Sequence, residues 1–183
     1  MLIPKSSPTI KNHIKWLSEN DSARSQSNYW YIDPEDERFE AWFILKKNQD
    51  IVACSAIQRF FNCGRVLTRF SITPSYRTKG MQLKPIQNKT FAFAILKEQL
   101  DYCKRRNFDH AFFSTEDNRK GVIKRHIRMA NELGIQCELL DGKFNTCRPI
   151  HGSEINNDPS CWQNIGLYRL TNKEFPLEKL QNN

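Results

Sequence analysis

Ile72-Thr73-Pro74-Ser75-Tyr76-Arg77-Thr78-Lys79-Gly80-Met81-Gln82 is the stretch on which the fold turns. It closes an apolar run, Val66 to Thr73, and leads into a long amphipathic segment, so it reads as strand, loop and helix start in succession. That succession suits an anion. Unpaired N–H groups at a helix N-terminus, together with the helix dipole, attract negative charge. Gly80 removes a side chain where a ligand must come close to the backbone. Arg77, Lys79 and Lys84 put positive charge on the same short segment. The expected ligand therefore bears phosphate.

Upstream, Ser7-Pro8 reads as an N-cap followed by proline in the first turn, and Ile10, Ile14 and Leu17 mark one helical face to about Asn20. Asp21 to Asn28 is polar and reads as a loop or a short second helix. Three strands are predicted next, at Phe39–Leu45, Ile51–Phe61 and Val66–Thr73. Short polar turns join them, which is the pattern of an antiparallel meander. Apolar residues on both faces of the first strand predict a sheet covered on both sides.

Downstream, Phe93, Leu96, Leu100 and Cys103 share a face and predict a helix from Pro85 to about Arg106. A short strand, Asp109–Ser114, precedes a second helix, Asn118–Leu133, with Ile123, Ile127 and Ala130 on one face and Gly134 as its stop. Ile135–Leu140 turns at Asp141-Gly142 and continues through Phe144 to Cys147, and Asn164–Leu170 is the last strand. Pro149 to Ser160 is a polar loop long enough to be a functional surface. The predicted order is α-β-β-β-α-β-α-β-β, a mixed α/β (α+β) sheet in one domain, residues 1–183. It contains a right-handed β-α-β crossover that makes the third and fourth strands parallel.

Composition sets the bounds. The chain has 183 residues, 39% of them hydrophobic and 26% charged, which fits one globular domain with a substantial core. Its mean hydropathy of −0.67 and the lack of any apolar run near the roughly 20 residues needed to span a bilayer argue against a membrane protein. The N-terminus carries no signal-peptide pattern, so a cytoplasmic location is expected. The six cysteines, at 54, 63, 103, 137, 147 and 161, form no C-x-x-C pair and match no zinc spacing. No metal site is expected, and buried free thiols are. A net charge of +8 suits an anionic partner.

The segment 72–82 resembles the pyrophosphate loop of the GNAT acyltransferase superfamily. Ile72, Pro74, Arg77 and Gly80 stand at that family's spacing, Tyr76 is a common occupant before the Arg, and Gln82 replaces the usual final Gly or Ala. The element order resembles that fold as well. The resemblance implies acetyl-CoA, or another acyl-CoA, as co-substrate and an amine as acceptor, with direct attack in a ternary complex. It implies a pyrophosphate bound by the loop amides of Arg77, Thr78, Lys79, Gly80, Met81 and Gln82. Pantetheine would pair with the strand at Ile72 and Thr73, where one N–H would polarise the thioester, an effect worth ~3 kcal/mol in related acyl transfers. Asn118, opening its helix after a strand, is a second and weaker match. The Tyr that the family often places further along this helix is missing, and Arg125 and His126 stand there.

Other residues carry competing readings. His126, beside Val122 and Met129, fits a packed structural histidine; in function it would be the general acid or base. Glu116 and Asp117 fit dipole compensation at a helix start, and the chemical alternative is a general base acting through water. Arg69 in a central strand could meet an acidic substrate group or an ion-pair partner. Lys120, Lys124 and Arg128 form a basic stripe of the kind usually found on a solvated face. The alternatives to an acyltransferase are a GNAT-shaped module that binds without turnover and, last, a nucleic-acid-binding protein, for which no recognised motif is present.

Overall fold

In the computed structural model the described residues are 1–21, 30–60, 64–76, 90–115, 120–145 and 162–181. In chain order they form β1 (Leu2–Ile3), α1 (Pro8–Asn20), β2 (Phe39–Lys47), β3 (Asp50–Phe60), β4 (Gly64–Ile72) and a 3-10 turn (Pro74–Tyr76). Then come α2 (Phe91–Arg105), β5 (His110–Thr115), α3 (Lys120–Glu132), β6 (Gln136–Leu139), β7 (Phe144–Asn145), β8 (Trp162–Arg169) and α4 (Glu178–Gln181). The predicted order is present with β1 and α4 added, and the single strand expected from Ile135 through Phe144 is instead two, β6 and β7, separated at Asp141-Gly142. One boundary moves. The first long helix begins at Phe91, not at Pro85, because Thr90 caps it. The Phe93 N–H donates to Thr90 Oγ1 at 3.2 Å and the Ala94 N–H to the Thr90 carbonyl at 3.0 Å. Residues 85–89 lie outside the described residues, as do 22–29 and the predicted loop from Pro149 to Ser160.

The chain divides into two compact units: residues 1–58 with 68–101, and residues 59–67 with 102–183. In the first, hydrogen-bonded neighbours run β1-β2-β3-β4. β1 and β2 are antiparallel at Leu2↔Phe43 and Ile3↔Trp42, and β2 and β3 from Phe39↔Gln58 to Lys47↔Asp50. Asn48 makes the tight turn between β2 and β3 at φ 56°, a left-handed conformation that asparagine tolerates better than most residues.

α1 starts as its sequence predicts. Ser7 is the N-cap, its hydroxyl accepting from the Thr9 N–H, and Pro8 follows in the first turn. Ile10, Ile14 and Leu17 are buried in one cluster with Trp42, Ile44, Cys54 and Ala56. Burial of each such large side chain contributes roughly 1.5–3 kcal/mol. Trp42 is fully buried because its indole N–H has an acceptor, the Pro34 carbonyl at 3.0 Å. α2 is tied to β3 through Gln99, whose Nε2 donates to the Ala56 carbonyl at 2.9 Å.

In the second unit the neighbours run β4-β5-β8-β6, with β7 added to β8. β4 and β5 are parallel, as the crossover predicts, with Val66 opposite Phe112. β5 and β8 are antiparallel from His110↔Arg169 to Thr115↔Asn164. The core joins Val66, Phe112, Leu140, Ile165, Leu167 and Phe175. Gly134 ends α3 at φ 68°, and the Ile135 N–H reaches back to the Ala130 carbonyl at 2.9 Å. Cys54, Cys103 and Cys137 are buried free thiols, as expected. No helix among the described residues is long and apolar enough to cross a membrane.

Candidate functional site

The last residue of β4 is Ile72, and the chain is fixed firmly just beyond it. Thr73 is buried. Its N–H donates to the Val52 carbonyl at 3.0 Å and its hydroxyl to the Ile51 carbonyl at 2.7 Å. The 3-10 turn follows, closed by the Tyr76 N–H on the Thr73 carbonyl at 2.8 Å. Pro74 opens that turn with a pre-set φ and no donor to lose. Tyr76 donates its phenolic hydrogen to Asp50 Oδ2 at 2.9 Å, and this bond to a carboxylate raises the Tyr76 pKa above the ordinary phenol value. Its ring meets Phe91 edge-on, with centroids 6.5 Å apart.

Ile72 and Thr73, expected to line the pantetheine arm, thus sit on a strand end anchored to β3. Arg77, Thr78, Lys79, Gly80, Met81 and Gln82, expected to hold the pyrophosphate, lie outside the described residues, as do Glu116 and Asn118. Arg69, three residues before Ile72, takes φ 52° inside β4 and has its Nε shielded from solvent. A left-handed residue other than glycine is uncommon, the more so inside a strand.

His126 belongs to the second unit and sits in a packed aromatic cluster. Its ring stacks on Phe113, with centroids 4.3 Å apart at 15°, and its Nδ1 shares a hydrogen bond with Tyr168 Oη. Burial, reinforced by the neighbouring Arg125 charge, lowers its pKa to about 4. It is therefore a neutral imidazole at neutral pH, which suits the packed reading better than an imidazolium acid. Burial also holds the Tyr168 phenol well above its usual pKa and, with Glu138, pushes the Cys137 thiol up to about 12. Lys124, Arg125 and Arg128 are exposed along α3, the solvated face the stripe predicts.

Sequence reading missed two groups. Asp50 gave no signal beyond its place in a turn, yet it receives Tyr76. His13 falls on the apolar face of α1, is buried, and its Nε2 has no hydrogen-bond partner among the described residues. Burial lowers its pKa to about 4. Its spacing from Ile10 and Leu17 was the available clue.

No family model matches the chain, and no curated protein matches its sequence. Solved structures do. An acetyltransferase of the GNAT family from Staphylococcus aureus Mu50 aligns with TM-score 0.52 at 14% identity, covering 93% of this chain and 99% of its own. The ribosomal-protein-S18-alanine N-acetyltransferase of Escherichia coli aligns with TM-score 0.52 at 13% identity, covering 95% and 94%. An aminoglycoside 6'-acetyltransferase of type Ii aligns with TM-score 0.55 at 8% identity, covering 95% and 98%. The chain has the GNAT fold. At these identities the likeness lies in the path of the backbone, and this GNAT-fold protein carries its own side chains on that path.

Proposed function

We propose that this GNAT-fold protein is an acyl-CoA-dependent N-acyltransferase, with acetyl-CoA as donor and an amine as acceptor. The observation that carries the reading is one of placement. The Ile72-x-Pro74-x-x-Arg77-x-x-Gly80 pattern begins on the last residue of β4, and β4 is the strand that runs parallel to β5. This placement, at the end of the strand from which the parallel pair runs, supports the reading.

In this reading the amides of 77–82 and the Arg77 and Lys79 charges hold the pyrophosphate. The β4 backbone at Ile72 and Thr73 orients the pantetheine arm, and a backbone N–H there stabilises charge on the thioester oxygen. The co-substrate supplies an activated acyl group. The acceptor nitrogen forms the new C–N bond as the C–S bond breaks, the ammonium proton leaves to water or a base, and the thiolate takes up a proton. A neutral His126 held by Tyr168 does not supply that proton as an imidazolium at neutral pH. The arrangement of His126, with Arg125 in place of a family Tyr, favours a second reading, a module that binds coenzyme A without turnover.

Coenzyme A is expected to raise the melting temperature under either reading, since ligand binding to the folded state alone stabilises it. No shift at millimolar coenzyme A sinks both. Release of free thiol from acetyl-CoA in the presence of a panel of amines marks the enzyme; binding without release on every amine marks the module.

A further inference from the structure

α3 carries its charge against its own dipole. Its first residue is Lys120 and its last is Glu132, with no acidic residue in the first turn and no basic residue in the last. The helix dipole favours the reverse at both ends. Between them stand Lys124, Arg125 and Arg128. Lys124 and Arg128 are like charges at i, i+4, a spacing at which they repel. Helix formation does not account for this arrangement, because each of these features acts against it.

Lys124, Arg125 and Arg128 are exposed, and no carboxylate among the described residues pairs with them. Exposed lysines elsewhere do pair, Lys11 with Glu35, Lys97 with Asp101 and Lys173 with Asp109. A face that serves only solubility carries both signs interspersed. Lys124 and Arg128 also border a depression of about 550 Å³ on α3, whose other lining residues are Ile127, Asn131 and Glu132. Ile127 is half-buried and gives it an apolar wall, and the Asn131 amide brings a donor and an acceptor. Cations for phosphates, an apolar surface for a base and an amide for a base edge are the chemistry that holds an unpaired nucleotide. A membrane-docking helix instead sets large apolar side chains among its cations. The exposed residues described along α3 include none.

We propose that this face of α3 is a docking surface for a single strand of RNA, with Lys124, Arg125 and Arg128 on its phosphates and a base in the depression beside Ile127. The charge of the strand complements the face, and it relieves the repulsion between Lys124 and Arg128 when it binds. The inference stands on one helix of one unit and does not need the acyltransferase reading.

The test is fluorescence anisotropy of a labelled single-stranded RNA of mixed sequence, titrated with the full chain at several salt concentrations. Three phosphate contacts predict a slope of log affinity against log salt of about −2, or a loss of about 20-fold from 50 to 200 mM salt. Arg128→Gln is expected to make that slope shallower by about 0.7. The Lys124→Gln/Arg125→Gln/Arg128→Gln triple variant is expected to lose about 10-fold or more in affinity at low salt. Its melting temperature is expected to hold or rise, since like-charge repulsion is removed. A second triple variant, Lys15→Gln/Lys46→Gln/Lys47→Gln, takes the same charge from exposed positions of the other unit. It is expected to bind RNA within about threefold of wild type at physiological salt, where the Debye length is about 8 Å. No binding of RNA by the wild type at low salt overturns the proposal, whether or not anionic phosphatidylserine vesicles bind. Equal losses in the two triple variants overturn it too, because they mark net charge and not this face. Displacement of the RNA by millimolar coenzyme A at constant ionic strength also overturns it, since the cations then serve the phosphates of a small ligand.

Discussion

Trp30 donates its indole N–H to Asp21 Oδ2 at 3.0 Å, and both residues are buried, Asp21 completely. The pair joins Trp30 to the end of α1, where the Asp21 N–H also meets the Leu17 carbonyl at 2.9 Å. Removing the acceptor from a buried donor costs its desolvation. Asp21→Ala is expected to destabilise the fold by about 1–3 kcal/mol. Asp21→Asn retains an oxygen for the indole and is expected to lose less. Urea midpoints at constant slope measure the difference, and equal losses in the two variants would show that the hydrogen bond is not the cause.

Gly166, in the middle of β8, is required by the ring of Phe113. A Cβ built there would lie 1.9 Å from Phe113 Cε1, far inside contact distance. Phe113 cannot simply turn away, because His126 stacks on it and Tyr168 packs beside it at 5.5 Å. Gly166→Ala is therefore expected to destabilise by about 1–3 kcal/mol or more, the range for overpacking a core. A joint Gly166→Ala/Phe113→Leu variant is expected to recover part of that loss. Thermal or urea unfolding of the single and double variants reports it, and a neutral Gly166→Ala would contradict the packing.

Two buried histidines predict how the fold responds to acid. His13 and His126 have folded pKa values lowered to about 4, against an unfolded value of 6.5. Above the unfolded value both states are neutral and stability is full. As pH falls from 6.5 towards 4 the unfolded chain takes up protons that the folded chain refuses, so stability declines across that window and levels off below it. Each histidine contributes on the order of 3 kcal/mol to the decline. His13→Leu removes one titrating group from the apolar face of α1. It is expected to cut the slope of stability against pH by about half in that window, and unfolding midpoints measured at several pH values test this.

Much of this fold was legible because it is written in local pattern. The apolar runs of β2, β3 and β4 and the helical spacing of Ile10, Ile14 and Leu17 each predict their element without reference to any partner. Pro85 is a familiar helix opener and predicts too early a start for α2, whereas the hydroxyl of Thr90 makes the cap. β1 was missed because two residues, Leu2 and Ile3, carry no periodicity and gain their strand character only by pairing with β2. The site divides along the same line. Arg77 and Gly80 can be read as a phosphate pattern because they are close in sequence. The Tyr76–Asp50 bond and the His126–Tyr168 contact join residues far apart in the chain, and only the fold brings them together.

The phosphate assignment makes its own prediction, at Gly80 and Arg77. Gly80→Trp places a large side chain where the ligand must approach the backbone, so coenzyme A binding is expected to be lost with the melting temperature of the free protein little changed. Arg77→Ala removes a charge-assisted contact and is expected to weaken coenzyme A by about 1.5–3 kcal/mol, or roughly 10- to 100-fold. The loss must follow the phosphates. Binding of pantetheine, which carries none, is expected to be the same in wild type and Arg77→Ala, and the affinity of wild type for coenzyme A should fall with added salt more steeply than that of the variant. If Gly80→Trp binds coenzyme A normally, or if Arg77→Ala weakens pantetheine as much as coenzyme A, the phosphates are not held at this strand end, and the segment 72–82 is a solvated turn.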